Sequence, residues 1–333
     1  MPTGLFMLNK ELRMVDRAAE AYDLLLKLAR EAADRGVLNA PLDTRRAAFQ
    51  KLERIAVEGM EPIRSRRDSV VSRSGKTATF ESCHVTVMPE SGDHAISRQF
   101  RLVAVRILLA HDEIMVEKLP LQAIFRFHAG EQMFYRGDVE SGHFRALAEE
   151  ILDWYYAIKI ADAVLHEDGQ ERFTIPGPGT DGIVMGYLDQ AAAVPAGELH
   201  RFARGQEKTH VIAASPFAPA LFIGNTYIGL NEIRPDQKDL RECWVEWRRH
   251  FAKTYELGLE REIWPFRAVS PPTRDHRVGS DAVSAVKSFL LDPRALKTMQ
   301  NRAMAGRSRG SYEPSMEDEH EYNQDHVPMR NVG

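Results

Sequence analysis

The sequence predicts an α+β protein: an N-terminal helical hairpin, a mostly antiparallel sheet, long amphipathic helices and a second small sheet. Three observations carry this. Leu8, Leu12, Val15, Ala19, Tyr22, Leu26 and Ala29 recur at spacings of four and three, a narrow helical stripe. Between Ser69 and His128 the apolar period changes to two, the signature of half-buried strands. Leu240, Trp244, Trp247, Phe251 and Tyr255 return to helical spacing and mark a late, aromatic-rich helix.

The first helix is expected over Lys10–Arg35, ended by Gly36. Pro41 suits the start of a second, with Phe49, Leu52, Ile55 and Ala56 apolar and Gly59 closing it. This hairpin has two uses: packing on the following sheet, or offering its stripe to a second copy of the chain. Glu61–Lys76 reads as a basic hinge, with Arg64, Arg66, Arg67, Arg73 and Lys76 against the single acid Asp68 among them. Such a cluster neutralises phosphates or is a solvated linker, and no interleaved aromatic residues support single-strand stacking.

Strands are expected at Ser69–Arg73 and Thr77–Met88 around a Ser74-Gly75 turn, then at Ile96–Leu109 and Glu113–Lys118. A further strand is expected after Pro120, over Leu121–Phe127. Arg106 and His111 have the Arg-x4-His spacing of HEPN-type ribonucleases, but that motif needs a helix and the β-branched content here predicts a strand.

At the end of the Leu121–Phe127 strand stands His128, followed by a short helix over Ala129–Arg136 and a long one over Gly142–Leu165. His128, Gln132 and Arg136 lie four apart on one face, with Glu131 beside them. A His to move a proton, a carboxylate and an amide to orient it, and an Arg to hold a phosphate oxygen are the parts a metal-independent phosphodiesterase needs. Over this one helix the pattern resembles the His-to-Arg helix of small RelE-like ribonuclease toxins. The competing reading is a solvated polar face with a locally bonded His.

Farther on, Pro176-Gly177-Pro178-Gly179-Thr180-Asp181-Gly182 has the glycine content of a phosphate loop without its Lys-Ser/Thr ending, and reads as a connector. Gly182–Leu188, Thr209–Ala214 and Ala220–Leu230 are expected strands, the last broken by Gly224-Asn225 into a hairpin. The aromatic-rich helix is expected over Gln237–Tyr255, a short one over Ala282–Leu291, and a charged, disordered tail from Arg302. The chain thus divides into segments 1–60, 61–166, 167–265 and 266–333.

Composition narrows the classes. Hydrophobic residues at 44% and charged residues at 28% are ordinary for a soluble globular chain. A net charge of −4 gives no global pull toward nucleic acid, so such contact must be local. Two distant cysteines, Cys83 and Cys243, make neither a disulfide framework nor a metal spacing and suit a reducing cytoplasm. Neither a signal peptide nor an apolar run long enough to span a membrane is read. His128 with Glu131, or His84 with His210, are the available metal-ligand pairs, too few for a site, so no metal and no cofactor is expected. Neither a nucleophile site nor a dinucleotide site is read from the sequence.

The functional expectation is a cytoplasmic protein acting on RNA or DNA by ribonuclease-like cleavage. His128, Glu131, Gln132 and Arg136 would form the reactive group, and Arg64, Arg66, Arg67, Arg73 and Lys76 the nucleic-acid contact. The alternative is a non-catalytic binding or assembly protein working through the helical hairpin and charged tail, with the hairpin as a homo-oligomer contact.

Overall fold

The computed structural model describes residues 4–71, 78–91, 98–136, 142–165, 172–178, 182–189, 196–212, 221–263, 276–295 and 297–298. Among these, six α-helices and nine strands form an α+β fold.

Helices α1 (Gly4–Asp34) and α2 (Leu42–Met60) form the expected hairpin. Gly36, at φ 78°, makes the left-handed turn that ends the first helix. Gly59 does not end the second. It lies inside α2, where a Cβ would stand 2.5 Å from the Cβ of Ala21, so the glycine permits a close approach of the two helices. The left-handed residue is Glu61, at φ 45°. The spacing of four and three buries Leu12, Val15, Tyr22 and Ala29 against the rest of the chain. These four residues of the stripe are thus buried within the chain itself.

Strands β1 (Arg64–Val71), β2 (Ala78–Ser91), β3 (Gln99–Leu109) and β4 (Ile114–Arg126) form an antiparallel meander. Much of the expected basic hinge is therefore strand: Arg64, Arg66 and Arg67 sit in β1, the edge of the sheet. Arg73, Lys76 and the Ser74-Gly75 turn lie outside the described residues. Pro120 does not divide β4, which runs through it. The β4–β7 ladder ends at Lys118 and the β4–β9 ladder begins at Ala123, so Pro120 falls where β4 has no outer neighbour to receive an N–H.

The later strands are β5 (Arg172–Pro178), β6 (Gly182–Asp189), β7 (Gly197–Ala203), β8 (Gln206–Ile212) and β9 (Leu221–Gly229). They are continuous with the first set. The sheet order is β1-β2-β3-β4-β9-β6-β5, with the β7–β8 hairpin attached to β4. The second small sheet is thus fused to the meander by the short parallel pairing of β4 with β9, Ala123 to Phe222 through Phe125 to Gly224. The Gly-rich stretch is mostly strand as well: Pro176, Gly177 and Pro178 finish β5 and Gly182 opens β6, while Gly179–Asp181 lie outside the described residues. Gly224-Asn225 makes a bulge in β9, not a hairpin turn: Met185 pairs with Thr226 and Gly186 with Gly224, which leaves Asn225 as the extra residue.

The period of two gives the sheet two apolar faces. Phe80, Val103, Val105, Ile107 and Val116 pack on the α1–α2 hairpin. The alternate residues, among them Val85, Leu102, Ala104, Ala123 and Phe125, pack on the other side. There lie α3 (Phe127–Arg136), α4 (His143–Leu165), α5 (Pro235–Ile263) and α6 (His276–Leu290). The aromatic stripe of α5 is core: Trp244 meets Trp154 of α4 edge-on at 5.1 Å and Phe289 of α6 at 5.0 Å. Helix α5 runs past the expected Tyr255 to Ile263 and kinks at Phe251. Among the described residues no helix is long and apolar enough to cross a membrane.

Candidate functional site

His128 falls in the first turn of α3, not at the strand end, and its side chain is 55% exposed. Its Nδ1 lies 3.3 Å from Glu131 Oε2. At this exposure such a pair contributes about 0–1 kcal/mol. Arg136, two turns on, leaves that environment. Its Nε lies 3.1 Å from Glu232 Oε2 and its Nη1 donates to Tyr227 O at 3.3 Å, tying the end of α3 to the end of β9. Helical rise separates the two backbone positions by roughly 12 Å. Gln132 is half-buried between them. Neither of the two principal cavities is lined by His128, Glu131, Gln132 or Arg136.

The β1 arginines are each held by a carboxylate of the same chain. Arg64 meets Glu256 at 2.9 Å and Arg66 meets Glu260 at 2.8 Å, both on α5, while Arg67 reaches Glu53 of α2 at 3.3 Å. Alternation along the strand sends the first two to one face of the sheet and the third to the other. These pairs fasten an edge strand to the helices on either side. Glu256 is also gripped by Arg248, and these hydrogen bonds outweigh burial and keep its carboxyl below the usual range.

The other nominated groups are similarly engaged. Arg106 lies in β3 and pairs with Glu117 of β4 at 2.7 Å, which rules out the helical Arg-x4-His motif. His84 is buried between Ser65 Oγ at 2.9 Å and Ser82 Oγ at 3.1 Å, and burial lowers its pKa to about 4. His210 is exposed on β8. Among the described residues no group of three or more His, Cys, Asp or Glu could hold a metal. Cys83 and Cys243 are buried free thiols, and burial raises Cys243 to about 11, far from a reactive thiolate.

The larger cavity, about 290 Å³, lies on the hairpin side of the sheet. It stands beside the fork where β4 exchanges β7 for β9 as its outer neighbour. Its walls are Ala19, Tyr22 and Asp23 of α1, the Met88–Glu90 end of β2, Arg101 and Val103 of β3, Lys118 and Pro120 of β4, and Ala196 with Glu198 beside β7. The fold explains why a gap persists here. Pairing of β3 with β4 is interrupted between Arg101 and Val103, and β7 diverges from β4 beyond Lys118. The second cavity, between α1, Ile63 and Phe144, is about 50 Å³, room for little more than water.

The polar groups of the larger cavity are unequally satisfied. Arg101 is buried and held on three sides, by both oxygens of Glu90 at 2.5 and 2.6 Å and by Leu121 O at 2.9 Å. Lys118 has a looser setting, 3.4 Å from Glu198 Oε1 and 5.1 Å from the centre of the Tyr22 ring. The Tyr22 hydroxyl is closed off from the surface and has no hydrogen-bond partner among the described residues. Burial and the nearby Glu198 and Asp23 carboxylates push its pKa well up, so it is a protonated donor at every physiological pH. An unmet hydroxyl of this kind costs about 1–3 kcal/mol.

Sequence reading did not single out this group, for a physical reason. Tyr22 belongs to the apolar stripe of α1 and reads as core, and apart from Ala19 and Asp23 the residues around the cavity lie about seventy positions or more away in sequence. The faint signal was a tyrosine, with its polar tip, in a stripe otherwise made of aliphatic residues. No protein-family model, curated protein or solved structure matches this chain.

Proposed function

We propose that the protein is a non-catalytic binding protein whose site is the cavity between the N-terminal hairpin and the sheet. The observation that carries this reading is the cavity of about 290 Å³ itself, which presents Lys118 and Glu198 and is walled in part by Tyr22, whose hydroxyl has no hydrogen-bond partner among the described residues. The cavity approaches the lower size of small-molecule pockets and has the same mixture of apolar wall and few polar groups. The test is a thermal-shift screen of a chemically broad fragment set against the wild type and an Ala19→Trp variant, whose indole would occupy the cavity. Fragments that stabilise the wild type and not the variant support the reading. A screen in which no fragment binds, or in which binding survives Ala19→Trp, sinks it.

A second reading, cleavage of RNA or DNA, is favoured by one observation: His128 is exposed beside Glu131 in the first turn of α3. Labelled RNA and DNA pools offered to the wild type and His128→Ala at low and moderate salt separate the two. Cleavage that disappears in the variant establishes the nuclease. Intact pools leave the binding protein as the account.

A further inference from the structure

Helix α5 sorts its exposed charges by sign. The first half shows acids to solvent, Asp239, Glu242 and Glu246, and the second half shows bases, Arg249, Lys253 and Arg261. The one exposed base of the first half, Lys238, pairs with Glu242. The helix dipole favours such an order only within the first and last turns. Arg249 and Lys253 stand ten residues or more from the end of the helix at Ile263. They also lie four apart, where like charges repel. Neither makes an ion pair among the described residues, because the carboxylates one turn away are engaged elsewhere: Glu246 by Arg294, and Glu256 by Arg64 and Arg248.

We propose that this face is covered by the chain's own acidic segment, residues 313–325, which docks on Arg249, Lys253 and Arg261. The contact lies on the opposite side of the sheet from the cavity and does not depend on it.

Thr298 sets the path. It is buried, and its hydroxyl donates to Asp236 O at 2.9 Å, in the first turn of α5. The last described residue is therefore pinned at the start of the helix. From Asp236, helical rise puts Arg249 about 20 Å away and Arg261 about 38 Å away. Fourteen residues separate Thr298 from Glu313. That length spans roughly 20 Å as a random coil and about 46 Å fully extended, so the acidic segment reaches the basic half of α5.

The order of charge favours the same path. From Thr298 onward the chain carries three bases, Arg302, Arg307 and Arg309, and then six acids between 313 and 325 with no Lys or Arg among them. Laid along α5 in the direction of the helix, the bases pass the acidic half and the acids meet the basic half. Exposed ion pairs are individually weak, but a short tether holds the acids at a millimolar effective concentration, so that weak contacts are occupied. A nucleic-acid strand matches less well, because its unbroken negative charge would also lie across Asp239, Glu242 and Glu246. An antiparallel second copy of α5 would match in charge but must be recruited from solution.

A zero-length carbodiimide, which joins a lysine ammonium to a touching carboxylate, tests this on the full chain in dilute solution, with the products mapped by mass spectrometry. Lys253 is expected to join residues 313–325 roughly tenfold more than do Lys27 and Lys51, exposed lysines of the hairpin on the other side of the sheet. The yield should fall severalfold in about 1 M salt, where the screening length is about 3 Å. It should fall as far in an Arg249→Glu/Arg261→Glu variant, which keeps Lys253 and is checked for fold by circular dichroism. Equal yields at the three lysines overturn the proposal, and so does a Lys253 yield indifferent to salt and to the substitutions. Isotopically heavy and light chains are mixed before reaction: Lys253 products that join heavy to light at the statistical frequency show a second copy, and the proposal falls. Labelled RNA that binds the wild type, loses affinity in the variant and finds Lys253 unjoined to 313–325 would assign the face to nucleic acid instead.

Discussion

Glu90 and Arg101 close the paired ends of β2 and β3 through two parallel hydrogen bonds, Oε1 to Nη2 at 2.5 Å and Oε2 to Nε at 2.6 Å. The third arm of the guanidinium donates to Leu121 O, the residue at which β4 loses register with β3. One planar cation thus holds both the wall of the cavity and the irregularity that makes room for it. An ammonium cannot reproduce that fork. Arg101→Lys is therefore expected to cost nearly as much stability as Arg101→Met, about 2–4 kcal/mol each. Urea denaturation of the two variants checks this; a lysine variant close to the wild type would show that charge alone suffices.

Tyr22→Phe should stabilise the protein by about 1 kcal/mol, since it removes a buried hydroxyl that has no partner among the described residues and keeps the ring under Lys118. Most core substitutions do the opposite. A fall in the urea midpoint would mean that the hydroxyl is already satisfied within the fold.

His84 makes stability depend on pH. Its folded pKa, about 4, lies below the ordinary 6.5 because burial disfavours the charged ring. The unfolded chain therefore takes up the proton first. Stability is held above pH 6.5 and lost as pH falls from 6.5 toward 4, by ~3 kcal/mol across the whole window. A His84→Gln variant should lack this component, so the gap between wild type and variant should narrow on acidification. A gap constant from pH 7 to 4.5 would contradict it.

Arg248 joins α5 to α4. Its Nη2 donates to Asp153 Oδ1 at 2.5 Å and Glu256 Oε1 at 2.6 Å, and its guanidinium lies 4.4 Å from the Tyr255 ring centre. Arg248→Met leaves two partly buried carboxylates facing each other and is expected to cost about 3 kcal/mol. Asp153→Asn made in the same background should recover part of that loss, which a double-mutant cycle reads directly.

Gly229→Ala should loosen the docking of α3 on β9, because the new Cβ would stand 2.1 Å from the carbonyl oxygen of Arg136, a backbone atom that cannot turn aside. The expected loss is about 2 kcal/mol or more. Faster amide exchange confined to α3 would locate it, whereas exchange unchanged in α3 would refute the assignment.

How much of this was legible depends on the range of the interaction. The α1–α2 hairpin, the meander and the aromatic helix α5 follow from local periodicity, and they are where the spacing put them, give or take their ends. Strand β7 was missed because Gly197–Ala203 carries a short pattern with Arg201 and His200 in it, and its pairing with β4 is what makes it a strand. Pro120 suggested an interruption because its lost N–H is expensive only where a neighbour needs it, and sequence does not display neighbours. Residues His128 and Arg136 do share a helix, as their spacing implied, but Glu232 turns the arginine away, and Glu232 lies nearly a hundred residues downstream. The cavity was out of reach for the same reason: it is assembled from five elements whose only common property is position.

The parallel pairing of β4 with β9 has a consequence for biosynthesis. Its three residue pairs are separated by about a hundred residues of chain, whereas the meander needs only adjacent strands. As the polypeptide emerges, β4 can join β3 long before β9 exists, leaving the outer edge of β4 bare for the time it takes to make the intervening chain. A bare apolar edge invites the nascent chains of neighbouring ribosomes to pair with it. Pro120, with no N–H to offer, and Arg126, a charge at the strand's end, lie on that same strand, and both are features that discourage edge-to-edge pairing.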